Sequence, residues 1–197
     1  MEILKLKNKN QKEIFEKTIK ILKEEKVVIC PTDTVYGLIA LATSKKATER
    51  IFEIKKRDIK KPIPIFVKNI NFAKKIAKIT PQNEKFLKMV WPGKVTAILK
   101  RKKSQIKIYG IEREKIALRI PKYKFLNKLL ETLNLPLTAT SANISKTTSF
   151  TKIKDLLKQI KSQKEKPDLV IDAGDLPKSK PSVILDLTET PFRILRF

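Results

Sequence analysis

Residues 27–38 decide the fold, and their sequence is Val27-Val28-Ile29-Cys30-Pro31-Thr32-Asp33-Thr34-Val35-Tyr36-Gly37-Leu38. The apolar run 27–30 is typical of a buried β-strand, which Pro31 ends. The hydroxyl and carboxylate side chains that follow are too polar for a strand in the core. Lys55 and Arg57 lie at the end of the next predicted helix. We interpret these segments together as half of a site that handles a nucleotide.

Helix and strand patterns alternate along the chain, which indicates the α/β class. Apolar residues at helical spacing predict helices near residues 11–25, 44–55, 70–77, 80–91, 123–133 and 151–160, with Ser44, Thr80 and Thr151 as N-caps. Short apolar or alternating runs predict strands at 3–6, 27–30, 61–67, 95–99, 106–109, 115–120, 137–140, 169–171, 182–187 and 192–195. The strands at the C-terminal end favour a mixed sheet. The 197 residues are expected to form one domain, 1–197.

Composition excludes several kinds of site. The chain has no histidine and one cysteine, Cys30, which excludes Ser-His-Asp triads, Cys-His dyads and zinc sites built from these residues. Its four glycines are too far apart for a glycine-rich phosphate loop. Any bound phosphate is therefore expected to contact side chains and helix N-termini. No apolar run approaches the roughly 20 residues that span a membrane, and we expect a cytoplasmic protein.

The net charge is +25, from 45 lysines and arginines against 20 acidic residues. Only seven of the 45 are arginine, and the lysines are scattered from Lys5 to Lys180. Scattered lysine is typical of a solvated surface, whereas phosphate recognition at fixed positions favours arginine. The charge would attract ATP and tRNA, but it does not identify the ligand.

Three groups of polar residues are candidates for the site. Lys55 and Arg57 converge on one anion only if the helix ends near Lys55, because residues two apart diverge on a helix. Arg119 lies on the opposite strand face from the apolar residues 116, 118 and 120, and there it requires an anionic partner. Ser141 and Asn143 would share a face on extended chain. Taken singly, Arg119 has an exposed strand face as its alternative explanation, and a plain turn is the more ordinary explanation of Ser141 and Asn143.

Five motifs in collinear order resemble the Sua5/YciO/YrdC family of L-threonylcarbamoyladenylate synthases. They are Pro31-Thr32-Asp33-Thr34-Val35-Tyr36-Gly37-Leu38, Lys55-x-Arg57, Trp91-Pro92-Gly93, Ala117-Leu118-Arg119 and Ser141-x-Asn143. The resemblance extends over nearly the whole chain and corresponds to the short form of the family, which lacks a second domain. It implies a twisted mixed α/β sheet with flanking helices around a basic cavity.

The resemblance also implies a reaction. L-Threonine, bicarbonate and ATP would give threonylcarbamoyl-AMP and pyrophosphate, with Mg²⁺ as cofactor. The product would pass to a separate threonylcarbamoyl transferase complex that modifies adenosine 37 of tRNA, and the sequence leaves open whether the protein also binds tRNA directly. The implied threonine site comprises Thr34, Arg119, Ala139 and Ser182. The implied ATP site comprises Lys55, Arg57, Ser141, Asn143, Ser149 and Arg196, with Lys55 and Arg57 as the catalytic residues; the resemblance gives no metal ligands.

The chain departs from the family pattern at five positions. Asp33 and Asp58 stand where glutamate and proline are usual, and Lys61 replaces a frequent asparagine. Phe66 replaces a histidine that contacts threonine in some members, and Lys115 replaces a threonine that can contact nucleotide. These departures affect single contacts rather than the resemblance as a whole.

Two other functions remain open from the sequence. One is a non-enzymatic protein that binds tRNA or double-stranded RNA, or assists ribosome maturation, which the net charge of +25 would suit. The other is a carbamoyl-adenylate synthase that uses carbamoyl phosphate, although such proteins carry further domains with zinc sites. The general base is also open, since Asp33 is equally suited to stabilising a turn.

Overall fold

The computed structural model of the protein describes residues 1–145 and 147–196. In these ranges the chain forms six α-helices: α1 (Gln11–Lys23), α2 (Lys45–Lys55), α3 (Ile70–Ile76), α4 (Pro81–Val90), α5 (Lys124–Leu133) and α6 (Ile153–Lys161). The same ranges contain eleven strands: β1 (Glu2–Lys5), β2 (Val28–Cys30), β3 (Gly37–Ile39), β4 (Ile65–Phe66), β5 (Val95–Lys100), β6 (Lys115–Arg119), β7 (Leu137–Thr138), β8 (Thr140–Ser141), β9 (Leu169–Asp172), β10 (Val183–Asp186) and β11 (Arg193–Arg196). No helix in the described ranges is both long and apolar enough to cross a membrane.

The strands are divided between two mixed sheets. The first has the order β1-β9-β2-β3-β8, with β1, β9 and β2 parallel and the other pairs antiparallel. The second has the order β11-β10-β5-β6-β4-β7, in which β10–β5 and β4–β6 are the parallel pairs. The predicted α/β class with a mixed strand arrangement is confirmed, although the strands form two sheets rather than one.

Helices cover both faces of the first sheet. Val28 and Cys30 of β2 pack in the cluster that contains α1 and α5. Val27 and Ile29 point to the opposite face and pack in the cluster that contains α2 and α6. A strand covered on both faces requires apolar residues throughout, which explains the uninterrupted apolar run 27–30.

The second sheet packs against helices on one face and lines a cavity with the other. Leu99 of β5 and Leu118 of β6 are buried with Trp91 in the cluster under α3 and α4. Ile98 and Arg119, one residue along each strand, line a cavity on the opposite face. Because side chains alternate along a strand, burying the leucine face against the helices, which contributes roughly 1.5–3 kcal/mol per side chain, also points Arg119 into the cavity.

One residue joins the two sheets. β7 pairs with β4 in the second sheet, and β8 pairs with β3 in the first, with Ala139 as the only residue between them. The Ala139 amide donates to the carbonyl of Pro64 at 2.7 Å. The chain therefore crosses from one sheet to the other within a single residue.

Two of the three predicted N-caps are confirmed. The Ser44 hydroxyl accepts from the amide of Ala47 at 3.1 Å, and the Thr80 hydroxyl accepts from the amide of Asn83 at 3.2 Å. The Thr151 prediction is wrong, because α6 begins at Ile153 with Lys152 as its N-cap.

Three strand predictions differ from the structure. Residues 106–109 form no strand; instead the Tyr109 amide donates to the Ala42 carbonyl at 2.9 Å in an irregular connection. The strand predicted at 61–67 is reduced to Ile65–Phe66, since the two prolines before it lack an N–H for the ladder. The third difference is β3, where the sequence predicts no strand; its three residues pair with β2 in antiparallel fashion.

Gly110 and Gly174 provide a matched test of packing. Their φ angles are +70° and +75°, so alanine at either position costs about 1 kcal/mol of backbone strain. A Cβ on Gly110 would lie 2.7 Å from Cγ2 of Thr48, whereas a Cβ on Gly174 would meet nothing within 4 Å. We expect Gly110→Ala to lower the free energy of unfolding by about 1–3 kcal/mol more than Gly174→Ala, because only the former overpacks the core. Urea denaturation measures the difference, and equal losses would contradict it.

Candidate functional site

A cavity of about 860 Å³ lies where the two sheets meet, a size typical of small-molecule sites. Its walls come from the loop after β2, the end of α2 and the segment from β8 onward, and its floor comes from the second sheet. All ten residues proposed from the sequence line it: Thr34, Lys55, Arg57, Arg119, Ala139, Ser141, Asn143, Ser149, Ser182 and Arg196. The structure therefore brings together every predicted site residue, and the ligand that each contacts stays a prediction.

Arg119 is held in place from several sides. Its Nη2 donates to Oδ1 of Asp33 at 2.6 Å, and its Nε donates to the carbonyl of Gly93 at 2.9 Å. Its guanidinium carbon lies 5.7 Å from the centre of the Phe66 ring. Asp33 is thus the anionic partner that the position of Arg119 requires. The protein uses Nε–H and one N–H of Nη2, so the second N–H of Nη2 and the N–H groups of Nη1 are the donors available to a ligand.

Thr34 can act as a hydrogen-bond acceptor for a ligand. The Thr32 hydroxyl donates to the carbonyl of Val35 at 2.7 Å, and its oxygen lies 3.0 Å from the Thr34 hydroxyl. Since the Thr32 proton is already used, Thr34 is the donor of that pair. Its oxygen also lies 3.4 Å from Nη1 of Arg119. Two lone pairs serve a hydroxyl oxygen, so one remains to accept from an ammonium or hydroxyl group in the cavity.

Lys55 is committed to the protein in this arrangement. It is the last residue of α2, and Lys56 leaves the helix with a φ of 47°, as convergence with Arg57 requires. The Lys55 ammonium donates to the carbonyls of Ser141 and Asn143, at 2.7 Å in the latter case, and lies 3.4 Å from Oδ1 of Asn143. These contacts fasten the chain after β8 to the end of α2.

Burial changes the ionisation of Lys55. The residue is only 2% exposed. Burial, with a smaller contribution from the charge of Arg57, lowers the pKa of Lys55 to about 7. Burial likewise lowers the pKa of Arg57 and of Arg119, although arginine stays protonated at any physiological pH. Lys55 is therefore the cavity cation whose charge changes near neutrality.

Arg57 braces the loop that follows α2. Its Nε donates to the carbonyl of Lys61 at 2.9 Å, and its Nη2 donates to the carbonyl of Pro62 at 2.8 Å. Lys61 and Pro62 themselves line the cavity. The remaining nitrogen, Nη1, has no hydrogen-bond partner among the described residues and is the donor available to a phosphate.

Asn143 holds its own loop. Its Nδ2 donates to the carbonyls of Ile144 and Thr147, at 3.0 and 2.5 Å. The Asn143 side chain therefore shapes the segment that carries Ser149. Its predicted contact with ATP requires this network to rearrange, whereas the Ser141 and Ser149 hydroxyls line the cavity directly.

Ser182 contacts both Thr96 of β5, in the floor of the cavity, and Arg196 of β11. Its hydroxyl lies 2.8 Å from that of Thr96. Its carbonyl accepts from Nε and Nη2 of Arg196, at 3.0 and 2.7 Å. Arg196 and Ser182, 14 residues apart, thereby meet at one end of the cavity.

Sequence reasoning missed several lining residues. Ser145, Thr147 and Thr148 form the wall beside Ser149, and Ser179 and Lys180 precede Ser182. The hydroxyl-rich run after Asn143 was the signal for the first three. The second pair lies in a loop whose position only the tertiary structure reveals.

The cavity is strongly basic. Its lining includes six cationic side chains and, among the described residues, no aspartate or glutamate: Lys55, Arg57, Lys61, Arg119, Lys180 and Arg196. The described part of the chain also has no cluster of three or more His, Cys, Asp or Glu side chains that could hold a metal ion. Magnesium bound by proteins usually has one or two carboxylate ligands, so the lining does not fit an Mg²⁺ ion held by the protein itself. It fits a polyanion.

Comparisons with known proteins agree with this geometry. A protein-family model described as Sua5/YciO/YrdC, telomere recombination, matches residues 20–197. A protein of Methanocaldococcus jannaschii, named provisionally as a threonylcarbamoyl-AMP synthase, is 34% identical over 189 residues, or 96% of this chain and 87% of that protein. The threonylcarbamoyl-AMP synthase of Pyrococcus abyssi is 33% identical over 176 residues, or 89% of this chain and 51% of that protein.

The fold also matches a solved structure. The crystal structure of Pyrococcus abyssi Sua5 complexed with L-threonine has a TM-score of 0.83 and 30% identity, over 99% of this chain and 56% of that chain. The chain thus spans most of the Methanocaldococcus protein and about half the length of the Pyrococcus protein.

The lowered pKa of Lys55 predicts a dependence of stability on pH. The folded state loses the Lys55 proton near pH 7, whereas the unfolded chain keeps it until the ordinary value of 10.5. Between these values the folded state binds fewer protons, so raising the pH favours folding. Relative to Lys55→Met, the free energy of unfolding of the wild type should therefore rise by about 1 kcal/mol per pH unit above pH 7.

Urea denaturation between pH 6 and pH 9.5 measures this difference. Lys46→Met, an exposed position on the same helix, is the control. The difference in free energy of unfolding between the wild type and this variant should not change with pH. A wild-type minus Lys55→Met difference that is flat or falls with pH would contradict the prediction.

Proposed function

The chain belongs to the Sua5/YciO/YrdC family, and we propose that it is an L-threonylcarbamoyladenylate synthase, which makes threonylcarbamoyl-AMP and pyrophosphate from L-threonine, bicarbonate and ATP. The single observation that carries the proposal is the composition of the cavity. It combines six cationic side chains with the hydroxyls of Thr34, Ser141, Ser149 and Ser182 in about 860 Å³. This combination suits a nucleoside triphosphate together with a small amino acid.

The threonine site is proposed at the Arg119 end. The free N–H groups on Nη1 and Nη2 of Arg119 are the donors for the carboxylate of the substrate. The free lone pair of Thr34 is the acceptor for its ammonium or hydroxyl group. Ser182, whose hydroxyl already bonds to Thr96, and the chain at Ala139 complete the walls. Threonine carries a carboxylate for the contact with Arg119, and an ammonium and a hydroxyl group that can donate to Thr34.

The ATP site is proposed at the Lys55 end. Arg57 contributes Nη1, and Lys61 brings further positive charge beside it, whereas Lys180 and Arg196 add positive charge near Ser182. Ser141 and Ser149 supply hydroxyls for phosphate or ribose oxygens. Side chains thus replace the glycine-rich loop that the sequence lacks, and they offset the charge of the triphosphate.

The reaction proceeds in two steps. The amine nitrogen of threonine attacks the carbon of bicarbonate, and loss of water leaves a carbamate. A carbamate oxygen then attacks the α-phosphorus of ATP, and the bond from that phosphorus to the bridging oxygen breaks, which releases pyrophosphate. Fixed cations that stabilise charge developing on the phosphates are the main catalytic contribution, together with the positioning of three reactants in one cavity.

Asp33 is not suited to act as the general base. Its Oδ1 accepts from Arg119 at 2.6 Å, and its Oδ2 accepts from the amide of Lys122 at 3.1 Å. Asp33 is also absent from the cavity lining. Protons are therefore assigned to water or to substrate phosphate. Mg²⁺ is expected to enter bound to the phosphates of ATP, as part of that substrate.

The product is expected to pass to a threonylcarbamoyl transferase complex that modifies adenosine 37 of tRNA in the cytoplasm. The names of the relatives support the synthase activity that would supply this product. A non-enzymatic RNA-binding protein is the alternative, and it would bind tRNA in a salt-sensitive manner without consuming ATP. The basic cavity favours the enzyme, because an RNA surface does not require an enclosed site with an acceptor for an amino group.

Formation of threonylcarbamoyl-AMP together with release of pyrophosphate tests the proposed reaction. With ATP, threonine and bicarbonate all present, we expect threonylcarbamoyl-AMP and pyrophosphate in equal amounts. Omitting threonine or bicarbonate should reduce pyrophosphate release to background. Turnover that persists without threonine would exclude this function, and turnover that requires carbamoyl phosphate would indicate the related carbamoylation chemistry.

Arg57→Ala tests the ATP site. Removing this cation should lower kcat/KM for ATP by about 100-fold or more, because it removes a fixed donor at the phosphates. Arg113→Ala, at an exposed position outside the cavity lining, should leave kcat/KM within about twofold, as distant surface substitutions do. Thermal denaturation confirms that both variants fold. A fully active Arg57→Ala protein would remove Arg57 from the site.

A further inference from the structure

The Trp91-Pro92-Gly93 motif is the one of the five family motifs whose residues do not line the cavity. Each of the other four contributes lining residues, among them Thr34, Lys55, Arg119 and Ser141. The proposed reaction gives this motif no role in binding. Its position suggests another role, because the turn lies at the end of β6 and bonds to the side chain of Arg119.

Gly93 bonds to two consecutive residues where β6 ends. Its amide donates to the carbonyl of Ile120 at 2.9 Å, and its carbonyl accepts from Nε of Arg119, also at 2.9 Å. Both polar groups of one glycine are thus used to tie the turn to this strand. The carbonyl is the group that reaches a side chain of the proposed threonine site.

We propose that Gly93 is a positioning residue of the threonine site: its carbonyl fixes Nε of Arg119 and so directs the remaining N–H groups of that side chain at the carboxylate of the substrate. This inference rests on the proposed function, because it assumes that Arg119 binds the carboxylate. It adds to that function a residue that acts through Arg119 and does not itself line the cavity.

Two contacts are needed to orient a guanidinium group. The group is planar, and a side chain held at one nitrogen can still turn about that contact. Asp33 holds Nη2 of Arg119 at 2.6 Å, and the Gly93 carbonyl holds Nε. With both nitrogens held, the plane of the group is fixed before the substrate arrives. A side chain that is already ordered loses less conformational entropy when the ligand binds.

Position 93 requires glycine because the turn passes close to the end of α4. A Cβ on Gly93 would lie 2.5 Å from the carbonyl oxygen of Val90, which is the last residue of α4. The turn has little freedom to move away, since Trp91 is buried and its Nε1 donates to the Val95 carbonyl at 2.8 Å. A side chain at position 93 would therefore displace the carbonyl that bonds to Arg119.

Gly93→Ala gives the first test. We expect the Kd of threonine, measured by equilibrium dialysis, and the KM for threonine to rise about tenfold, because the ligand then has to order Arg119. The KM for ATP should stay within about twofold, since Arg57 and Lys61 are left in place. An unchanged Kd of threonine in a folded variant would overturn the inference. Equal rises for both substrates would overturn it too, because they would indicate a general distortion of the cavity.

Gly110→Ala is the matched control. A Cβ on Gly110 also meets a close neighbour, Cγ2 of Thr48 at 2.7 Å, but the Gly110 carbonyl bonds to the amide of Ile63 and the residue does not line the cavity. This variant should lose stability and keep the Kd of threonine within about twofold. A similar tenfold rise for Gly110→Ala would assign the effect to lost stability and would overturn the inference.

The wild-type protein gives a test that needs no substitution at Gly93 and decides the matter if Gly93→Ala does not fold. The chain has only seven arginines, and the Nε–H signal of Arg119 in an NMR spectrum is the one that Arg119→Lys lacks. We expect this proton to exchange slowly with water both with and without threonine. Rapid exchange in either state would overturn the inference, because Nε would then not be held.

The two proposals fail in different ways. A wild-type protein that forms no threonylcarbamoyl-AMP contradicts the proposed function, whatever the exchange rate at Nε. An active wild type whose affinity for threonine is insensitive to Gly93→Ala contradicts only the role of Gly93.

Discussion

The structure depends on how buried positive charge is compensated between two sheets. Arg57, Arg119 and Arg196 each donate to a backbone carbonyl of an irregular segment, and Lys55 donates to the carbonyl of Asn143 as well as to that of Ser141 at the end of β8. Carbonyls outside helices and strands need partners when they are buried, and buried cations need acceptors. Here the cationic side chains donate to these carbonyls, so both kinds of buried group have partners. The cations that are proposed to bind substrate therefore also fix the loops that surround it. Removing one of them therefore affects both the shape and the charge of the cavity.

The residues of the site could be predicted from the sequence more reliably than their interactions. The alternation in β6 placed Arg119 opposite the apolar face, and the end of α2 near Lys55 made convergence with Arg57 feasible. The resemblance then supplied the remaining positions. The partners of these side chains lie far away along the chain: Lys55 bonds to carbonyls 86 and 88 residues later, and Asp33 is 86 residues from Arg119. No local pattern encodes such contacts, which is why the sequence leaves the role of Asp33 open between a general base and a turn stabiliser.

The errors in secondary structure have a common physical origin. β3 has three residues, one of them glycine, and owes its existence to pairing with β2 and β8 rather than to its own propensity. The segment 106–109 has the apolar residues of a strand, but the Tyr109 amide bonds to the Ala42 carbonyl and the Ile106 amide bonds to the Ser104 hydroxyl, outside either sheet. In both places tertiary pairing decides between strand and loop, as expected where local preference is weak.

The single residue between β7 and β8 limits how the chain can vary in length. Side chains alternate along extended chain, so inserting one residue at Ala139 would turn Ser141 from the cavity to the opposite face. The same insertion would displace the carbonyls that Lys55 bonds after β8. Insertions are far better tolerated in exposed loops, such as the exposed stretch at residues 102–105. Related chains can thus differ in length around the cavity, whereas the step between the two sheets has to keep its one-residue spacing.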